Sequence, residues 1–493
     1  METGIFNAKS QSREGFCFLF FLLLSVFAAS VFAQETPPAP GAPRSVSVPA
    51  VQEKKLGNGL TVAVVEKKAV PLVTINLLIK SGASSEDASK AGLADITASM
   101  LTKGTKTKTA TQIAEAVEFL GGSINSGANW NSSFVSITVT SDKVNQAMAI
   151  LADVVLNPKF DQKELDLLKS QTLDGLTYNL KQPSSLANYV ASKYSFREHP
   201  AGGTPISIGS IMRSDVENFY KNGFLSNMSV LIFTGNISSA EANNLATANF
   251  AAMRQSRTAG RGMGNGTGDR SRPKTFQRLL VIDLPKSGQA SVGYYKTVSG
   301  LGRQSDQYFP SIVYNSVFGG GYSSRLNMEI RIKRGLSYGA GSSFGWRQGT
   351  ANFSTRAQTK NESAAQVAEL VIAEIDKLGD TSVATDELGP RKSVLTGGFG
   401  RNLETTGGLA NALAELYSFY IPASELNNYI GKVNAVTPDQ LKALGSYDTL
   451  GGDIIIVGDY SIFRDDLAKR FPGMKIDVIK ADELDLSKDN LRK

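Results

Sequence analysis

Residues that can bind a metal or act as nucleophiles are scarce in this sequence. The 493 residues include one histidine, His199, and one cysteine, Cys17. A zinc site takes three or four protein ligands, mainly histidine, cysteine and carboxylate side chains, so a single histidine argues against one. A lone histidine before proline in a loop, as at His199, is most often structural, although the sequence alone does not exclude a Ser-His-Asp arrangement.

The N-terminal segment has the order of a secretory signal peptide. Basic residues precede an apolar run over residues 16–27, and small residues then lead to Ala33, after which cleavage is expected. The apolar run of about a dozen residues is shorter than the roughly 20 that a membrane anchor needs, so a signal peptide over residues 1–33 is favoured over an anchor. No later stretch is long and apolar enough to span a bilayer. Cleavage also removes Cys17, and a secreted chain of this size without cysteine is typical of the bacterial periplasm.

Composition and charge exclude two broad classes. Apolar residues make up 41% and charged residues 20%, which is typical of folded domains and not of disordered chains. The net charge is +7, but the basic residues are spread along the chain, so no nucleic-acid partner is expected. Residues 34–493 are long enough for two or three domains.

Segments of biased composition divide the chain. Residues 34–50 are rich in proline, alanine and serine and are predicted to be a disordered leader. Residues 256–273 are rich in glycine and are predicted to be a flexible linker. These breaks leave an N-terminal domain over 51–255, a C-terminal domain over 274–480 and a charged tail over 481–493.

The two domains are predicted to be repeats of α+β units. In the first half, a polar helix start with Asp215 is followed by a buried strand that ends at Gly235. In the second half, a similar helix start with Asp439 is followed, at nearly the same distance, by a buried strand that ends at Gly458. Any α/β chain could supply such pieces, but the shared spacing favours a repeat.

Local patterns predict paired strands and packed helices. Residues 60–65 and 72–79 are apolar, β-branched runs joined by a charged turn, which is typical of neighbouring strands. Helical periodicity follows in residues 91–101 and 160–180. The mixture indicates an α+β fold with helices packed on a sheet.

Residues 81–105 resemble the opening of pitrilysin/insulinase-family peptidases. The segment contains Ser-Gly-Ala-Ser-Ser-Glu, then Ala-Gly-Leu-Ala-Asp-Ile-Thr-Ala-Ser-Met-Leu, then Lys-Gly-Thr. In active members the Gly-Leu-Ala part leads into H-x-x-E-H, whose histidines bind zinc and whose glutamate is the general base. The resemblance puts Asp95, Ala98 and Ser99 at the positions of the first histidine, the glutamate and the second histidine. Gly175 stands where the family has its third ligand, a glutamate.

These replacements predict a chain that holds no zinc of its own. Both imidazoles and both carboxylates of the family site are absent, and Asp95 alone cannot bind zinc tightly. Asp174 is next to Gly175, but it lies about 100° around the helix from the lost glutamate and is not expected to replace it.

Residues 318–339 resemble the family's C-terminal signature, with a glycine-rich turn, Ser-Arg-Leu, a short helix with an arginine, and Arg-Gly-Leu-x-Tyr. The resemblance implies that Arg331 and Tyr338 form the family's arginine–tyrosine pair, in which the arginine holds a substrate carbonyl and the tyrosine hydroxyl stabilises the oxyanion. A guanidinium is a fixed donor, and a phenol can stabilise a developing oxyanion. Spacing alone favours a surface arginine and a core tyrosine instead. The glycines of Gly319–Gly321 are expected to permit close backbone approach at a turn.

The resemblance covers residues 51–478 and implies two homologous domains, each a mixed β-sheet with helices packed on one face, as in pitrilysin and the mitochondrial processing peptidase. Some members divide the work between two short chains, one with the zinc motif and one with the arginine–tyrosine pair. This chain is therefore expected to be a periplasmic, non-catalytic subunit without a cofactor. Its zinc-bearing partner would carry H-x-x-E-H, and peptide substrates would add a strand to a sheet edge.

Three other functions stay open from the sequence. The chain could be a scaffold subunit of a larger assembly, like the core proteins of a respiratory complex, although the preserved Arg-Gly-Leu-x-Tyr argues against that. It could be a stand-alone peptide-binding protein. It could also be an active peptidase with unusual ligands, which zinc content and chelator sensitivity would reveal.

Overall fold

The computed structural model describes residues 50–255 and 276–493. The predicted signal peptide, the predicted leader up to residue 49 and the predicted linker over 256–273 lie outside these residues. The described part forms two halves, each built around one six-stranded sheet.

The first half contains six strands, which are β1 (Gln52–Lys55), β2 (Thr61–Glu66), β3 (Leu72–Ile79), β4 (Ser123–Ala128), β5 (Ser133–Thr140) and β6 (Ser229–Gly235). Its helices are α1 (Leu93–Met100), α2 (Ala110–Phe119), α3 (Val144–Leu156), α4 (Gln162–Asn179), α5 (Pro183–Tyr194), α6 (Pro205–Ser210), α7 (Arg213–Gly223) and α8 (Ser239–Phe250). The predictions of strands at 60–65 and 72–79 and of helices at 91–101 and 160–180 are confirmed by β2, β3, α1 and α4.

The second half has the strands β7 (Phe276–Asp283), β8 (Ala290–Ser299), β9 (Ser337–Trp346), β10 (Thr350–Thr359), β11 (Gly452–Gly458) and β12 (Ile476–Lys480). Its helices are α9 (Tyr308–Phe318), α10 (Arg325–Asn327), α11 (Ala364–Asp380), α12 (Thr385–Glu404), α13 (Thr406–Ser418), α14 (Glu425–Ala435), α15 (Pro438–Ala443) and α16 (Tyr460–Arg470). One π-helical turn, Met328–Ile332, continues α10.

The two sheets have matching strand orders, β1-β2-β6-β3-β5-β4 and β12-β7-β11-β8-β10-β9. In each sheet a central pair is parallel, β2 with β6 and β7 with β11, and the strands that follow in the order pair antiparallel. The first edge strands differ, because β1 is antiparallel to β2 and β12 is parallel to β7. The prediction of two homologous α+β domains with mixed sheets is therefore confirmed. Strands β6 and β11 lie at the centre and are buried along their whole length, as their continuous apolar runs require.

Each sheet packs its own helices on one face and receives a helix from the other half on the opposite face. Helix α13 of the second half packs on β3 and β6, and α5 of the first half packs on β8 and β11. Leu186 and Val190 of α5 are buried against Leu280 and Ile455, whereas the neighbouring Leu279 and Ile454 face the second half's own core. Side chains alternate across a strand, so these two sets occupy opposite faces of the second sheet.

Hydrogen bonds fix the exchanged helix α13 against the first sheet. The Thr406 Oγ1 and Thr74 Oγ1 atoms are 2.9 Å apart, and Thr234 Oγ1 donates to the Thr406 carbonyl at 2.8 Å. Lys67 Nζ donates to the carbonyl of Leu403 at 2.9 Å. The buried Thr234 hydroxyl of the first sheet therefore finds its acceptor in the second half.

The segment 481–493, predicted as a charged tail, folds back against the second sheet. Leu486 and Leu491 are buried in the cluster that contains α5, and Arg492 forms an ion pair with Asp477 of β12 at 2.6 Å. Across residues 50–255 and 276–493, no helix combines the length and the apolar character needed to cross a bilayer.

Candidate functional site

Helix α1 carries the three positions that correspond to the zinc motif. Asp95 is exposed, and its Oδ1 accepts the backbone N–H of Ala128 in β4 at 3.1 Å. Ala98 is fully buried and Ser99 is half-buried. These positions together offer one carboxylate, one hydroxyl and one methyl group, where the family has two imidazoles and a carboxylate.

The fourth zinc position, Gly175, lies on α4, which packs against α1. A Cβ at Gly175 would meet nothing within 4 Å, so the space that a glutamate would occupy is open. Asp174 is exposed. Among the described residues there is no group of three or more His, Cys, Asp or Glu side chains able to hold a metal. The residues present therefore do not fit zinc, because Asp95 alone supplies too few ligands.

We expect the purified chain to contain no stoichiometric zinc after dialysis, measured by elemental mass spectrometry against protein concentration. The variant Asp95→Ala should give the same low content, because one exposed carboxylate contributes little metal affinity. Zinc at one equivalent in the wild-type chain that disappears in Asp95→Ala would contradict this expectation.

The start of α1 is held by a buried carboxylate that sequence reasoning missed. The Glu86 side chain has no exposed surface. Its two oxygens accept the N–H groups of Gly92 at 2.8 Å and Ala94 at 2.6 Å, and the Nε2 atom of His199 lies 3.0 Å from Glu86 Oε1. A carboxylate at a helix N-terminus is favoured by the free N–H groups and the helix dipole. An acidic residue shortly before the helix start was the available sequence feature.

His199 also belongs to a stack that joins the two halves. Its ring lies 5.0 Å from that of Trp130. The guanidinium of Arg347, which belongs to the second half, lies 4.8 Å from the same Trp130 ring. Arg347 forms two hydrogen bonds with Glu198, at 2.8 and 2.7 Å. This environment supports a structural role for the single histidine.

We expect Glu86→Gln to lower the free energy of unfolding by about 1–3 kcal/mol. The glutamine amide has one accepting oxygen, so it cannot reproduce the contacts that the two carboxylate oxygens make with the two N–H groups and with the His199 Nε2 atom. His199→Ala should lower it less, because the Glu86 carboxylate keeps both of its N–H donors. Urea denaturation measures both effects, and Glu118→Gln, at an exposed position of α2, is the matched control. A larger loss in His199→Ala than in Glu86→Gln would contradict this account.

Arg331 and Tyr338 line one open cleft of ≈ 900 Å³ in the second half. Arg331 lies in the π-helical turn after α10, with its guanidinium 5.2 Å from the Tyr322 ring. Tyr338 is the second residue of β9, and its side chain is 90% exposed. The structure thus brings the two residues together, and Tyr338 is not a core residue.

Asn327, a buried residue that sequence reasoning did not single out, connects the elements that carry this pair. Its Oδ1 accepts the Ala340 N–H of β9 at 3.1 Å, and its Nδ2 donates to the Tyr322 carbonyl. The Leu336 N–H also donates to the Ile330 carbonyl at 2.9 Å. These bonds fix the turn with Arg331 against the strand with Tyr338.

The glycine-rich turn allows the backbone to approach β9, as expected from the sequence. A Cβ at Gly319 would lie 2.4 Å from Ser342 Oγ, and one at Gly320 would lie 2.8 Å from the Asn315 carbonyl oxygen. The Ser342 N–H donates to the Gly319 carbonyl at 3.1 Å. A side chain at Gly319 would push the turn away from β9, and one at Gly320 would push it away from α9.

Glu329 is the carboxylate closest in sequence to Arg331, but it is bound elsewhere. Its oxygens accept hydrogen bonds from Lys333 and Arg334. Those bonds, chiefly the one from Lys333, lower the pKa of the Glu329 carboxyl. The charge of Arg331 is therefore not neutralised by this neighbour.

Two repeated α+β halves that exchange a helix, with an arginine–tyrosine cleft in the second, define a two-domain peptidase-like protein. The chain belongs to peptidase family M16. The family model described as Insulinase (Peptidase family M16) matches residues 61–203, and the model described as Peptidase M16 inactive domain matches residues 210–392.

Individual relatives agree with this family. A protein of Rickettsia bellii described as an uncharacterized zinc protease is 28% identical over 58% of this chain and 68% of its own length. Another with that description, from Streptomyces coelicolor, is 22% identical over 81% of this chain and 87% of its own length. Among solved structures, a peptidase M16 inactive domain from Pseudomonas fluorescens has a TM-score of 0.73 and 25% identity, over 83% of this chain and 98% of that one. The periplasmic protease PqqL from Escherichia coli has a TM-score of 0.67 and 16% identity, over 87% of this chain and 51% of that one, which shows the fold alone.

Proposed function

We propose that this chain is the non-catalytic subunit of a heteromeric zinc peptidase, in which a partner with H-x-x-E-H supplies the zinc. The observation that carries the proposal is the contrast between the two sites. The zinc positions have lost all of the family's ligands, with Asp95 in place of the first histidine, whereas Arg331 and Tyr338 share an open cleft without being committed to the core. A chain that served only as a scaffold would have no need for this exposed pair.

In the proposed complex, Arg331 donates hydrogen bonds to a carbonyl of the bound peptide. The Tyr338 hydroxyl donates to the oxygen that becomes negative as the scissile carbonyl is attacked at the partner's site. Donors aimed at a developing oxyanion lower the barrier because they are oriented before the reaction begins. The 90% exposure of Tyr338 supports this role, since its hydroxyl can reach a substrate held by a second chain.

A sheet edge beside the zinc-motif positions suits an extended peptide. Strands β4 and β9 are the last strands of their sheets, so one side of each has no strand partner among the described residues. On β9, the N–H groups of Ala340 and Ser342 already donate to Asn327 and Gly319, so β4 has the more open edge. Extended peptides bind such edges through main-chain hydrogen bonds. We propose that peptides are the substrates and that they lie along an edge between the two subunits.

The proposed location is the periplasm. The signal-peptide pattern of residues 1–33 supports export. The likeness in fold to the periplasmic protease PqqL is consistent with it.

Reconstitution with a zinc-bearing M16 chain from the same organism tests the proposal. Cleavage of a quenched fluorescent peptide library is measured for each chain alone and for the mixture. The proposal predicts little cleavage by either chain alone and strong, chelator-sensitive cleavage by the pair. Full activity of the partner alone, unchanged when this chain is added, would leave the scaffold function as the better account.

A further inference from the structure

A second arginine, Arg356, lines the same cleft as Arg331. It lies on β10, is exposed, and is directly opposite Gly341 of β9 in the sheet register. Among the residues that the structure describes, no aspartate, glutamate or lysine lines the cleft. The ion pairs found in residues 50–255 and 276–493 include neither Arg331 nor Arg356.

Several other arginines of this half have carboxylate partners. Arg325, six residues before Arg331, pairs with Glu387 through contacts of 2.9 and 2.6 Å. Arg347, on the hairpin before β10, pairs with Glu198 at 2.7 Å. Two arginines without such partners in one concave surface create a positive potential that attracts anionic groups.

The floor between the arginines is bare backbone. Gly339 and Gly341 line the cleft without side chains, and a Cβ at Gly339 would meet nothing within 4 Å. Ser184 and Asn188, from helix α5 of the other half, form the facing wall with small polar groups. This open surface leaves room for a peptide side chain or C-terminus that reaches Arg356.

We propose that Arg356 is a specificity-determining residue that selects peptides carrying a carboxylate close to the segment held at Arg331. A guanidinium presents a planar pair of donors that matches a carboxylate in two parallel hydrogen bonds. The carboxylate comes from an aspartate or glutamate side chain or from the C-terminus of the peptide. This inference rests on the proposed function, because it assumes that peptides bind in the cleft.

The test uses fluorescently labelled peptides in matched pairs that differ by Glu or Gln at one position, or by a free or amidated C-terminus. Fluorescence anisotropy gives their affinities for the full mature chain and for its complex with the zinc-bearing partner. We expect the acidic member of a pair to bind about tenfold more tightly at low salt, as a charge-assisted pair allows, and less so as salt rises. Arg356→Gln should remove the preference, and Arg334→Gln, with its arginine bound to Glu329, should keep it.

The possible outcomes distinguish a failure of this inference from a failure of the proposed function. A preference for the free C-terminus that Arg356→Gln removes supports the proposal with the terminal carboxylate as the ligand. Equal binding of both members by the wild-type chain, or a preference that survives Arg356→Gln, overturns the inference and leaves the proposed function standing. Absence of binding for every peptide, in the chain and in the complex, overturns both.

Discussion

Arg331→Ala is expected to lower peptide cleavage by the assembled complex about 10²–10³-fold, the effect of removing one preorganised donor from an oxyanion site. Tyr338→Phe, which removes only the hydroxyl, should lower kcat by a similar factor with little change in KM. Neither change should disturb folding, since Tyr338 is 90% exposed and Arg331 forms no ion pair within the described residues.

The control variants change the same residue types, arginine and tyrosine, at positions outside the cleft. Arg334→Ala removes a nearby arginine whose guanidinium binds Glu329 outside the cleft, and Tyr178→Phe removes a hydroxyl from an exposed tyrosine on α4. Both should cleave like wild type. Steady-state kinetics on complexes checked by size-exclusion chromatography decide the matter. Unchanged turnover in Arg331→Ala and Tyr338→Phe with the complex intact would remove the basis of the site.

Arg278→Ala is expected to lower the free energy of unfolding by about 3 kcal/mol, because it leaves a buried carboxylate without its partner. The side chain of Asp453 in β11 is 6% exposed. It receives two hydrogen bonds from Arg278 of β7, at 2.7 and 2.6 Å. The Arg278 guanidinium also donates to the Tyr194 carbonyl at 3.1 Å and lies 3.9 Å from the Tyr194 ring. Arg278 therefore binds both Asp453 of the second sheet and Tyr194, the last residue of α5 from the first half.

A second substitution isolates the cause of that loss. Asp453→Asn in the Arg278→Ala background removes the unpaired charge, so the double variant should be more stable than Arg278→Ala alone. Urea denaturation followed by circular dichroism measures the three variants, with Arg464→Ala, on the exposed face of α16, as the control. A loss below about 1 kcal/mol in Arg278→Ala would show that the buried carboxylate has other adequate partners.

Much of each half could be predicted from local patterns. The continuous apolar runs that became β6 and β11 predicted buried central strands, and their matching distance from Asp215 and Asp439 predicted the repeat. The exchange of helices could not be predicted in this way. The periodicity of α5 and α13 shows that one face is buried, but not which sheet covers it, because that depends on packing between distant segments.

Tyr338 shows the limit of strand alternation. Ala340 faces the core, so regular alternation predicts that Tyr338 does too. The pairing of β9 with β10 shifts its register between Ala357 and Thr359, and such an irregularity re-aims nearby side chains. The tyrosine consequently points into solvent. The resemblance to the family singled out Tyr338 as a site residue, and the side chain lines the cleft, whereas spacing alone favoured a core tyrosine.

Asn327 and Arg356 were missed for a related reason. The contacts of Asn327 join a turn to a strand, and Arg356 meets the cleft only through the alignment of β10 with β9. Neither residue stands in a pattern whose spacing points to chemistry. Glu86 did lie in a recognised segment, but only the structure shows that its carboxylate binds both the helix start and His199.

The most direct test of the two-subunit account is to recover the tagged protein from the organism that encodes it and to identify by mass spectrometry what accompanies it. The account predicts a similar-sized M16 chain with H-x-x-E-H in roughly equal amount. Recovery of the protein alone, or with unrelated subunits of a larger assembly, would contradict it and leave Arg331 and Tyr338 without the proposed role.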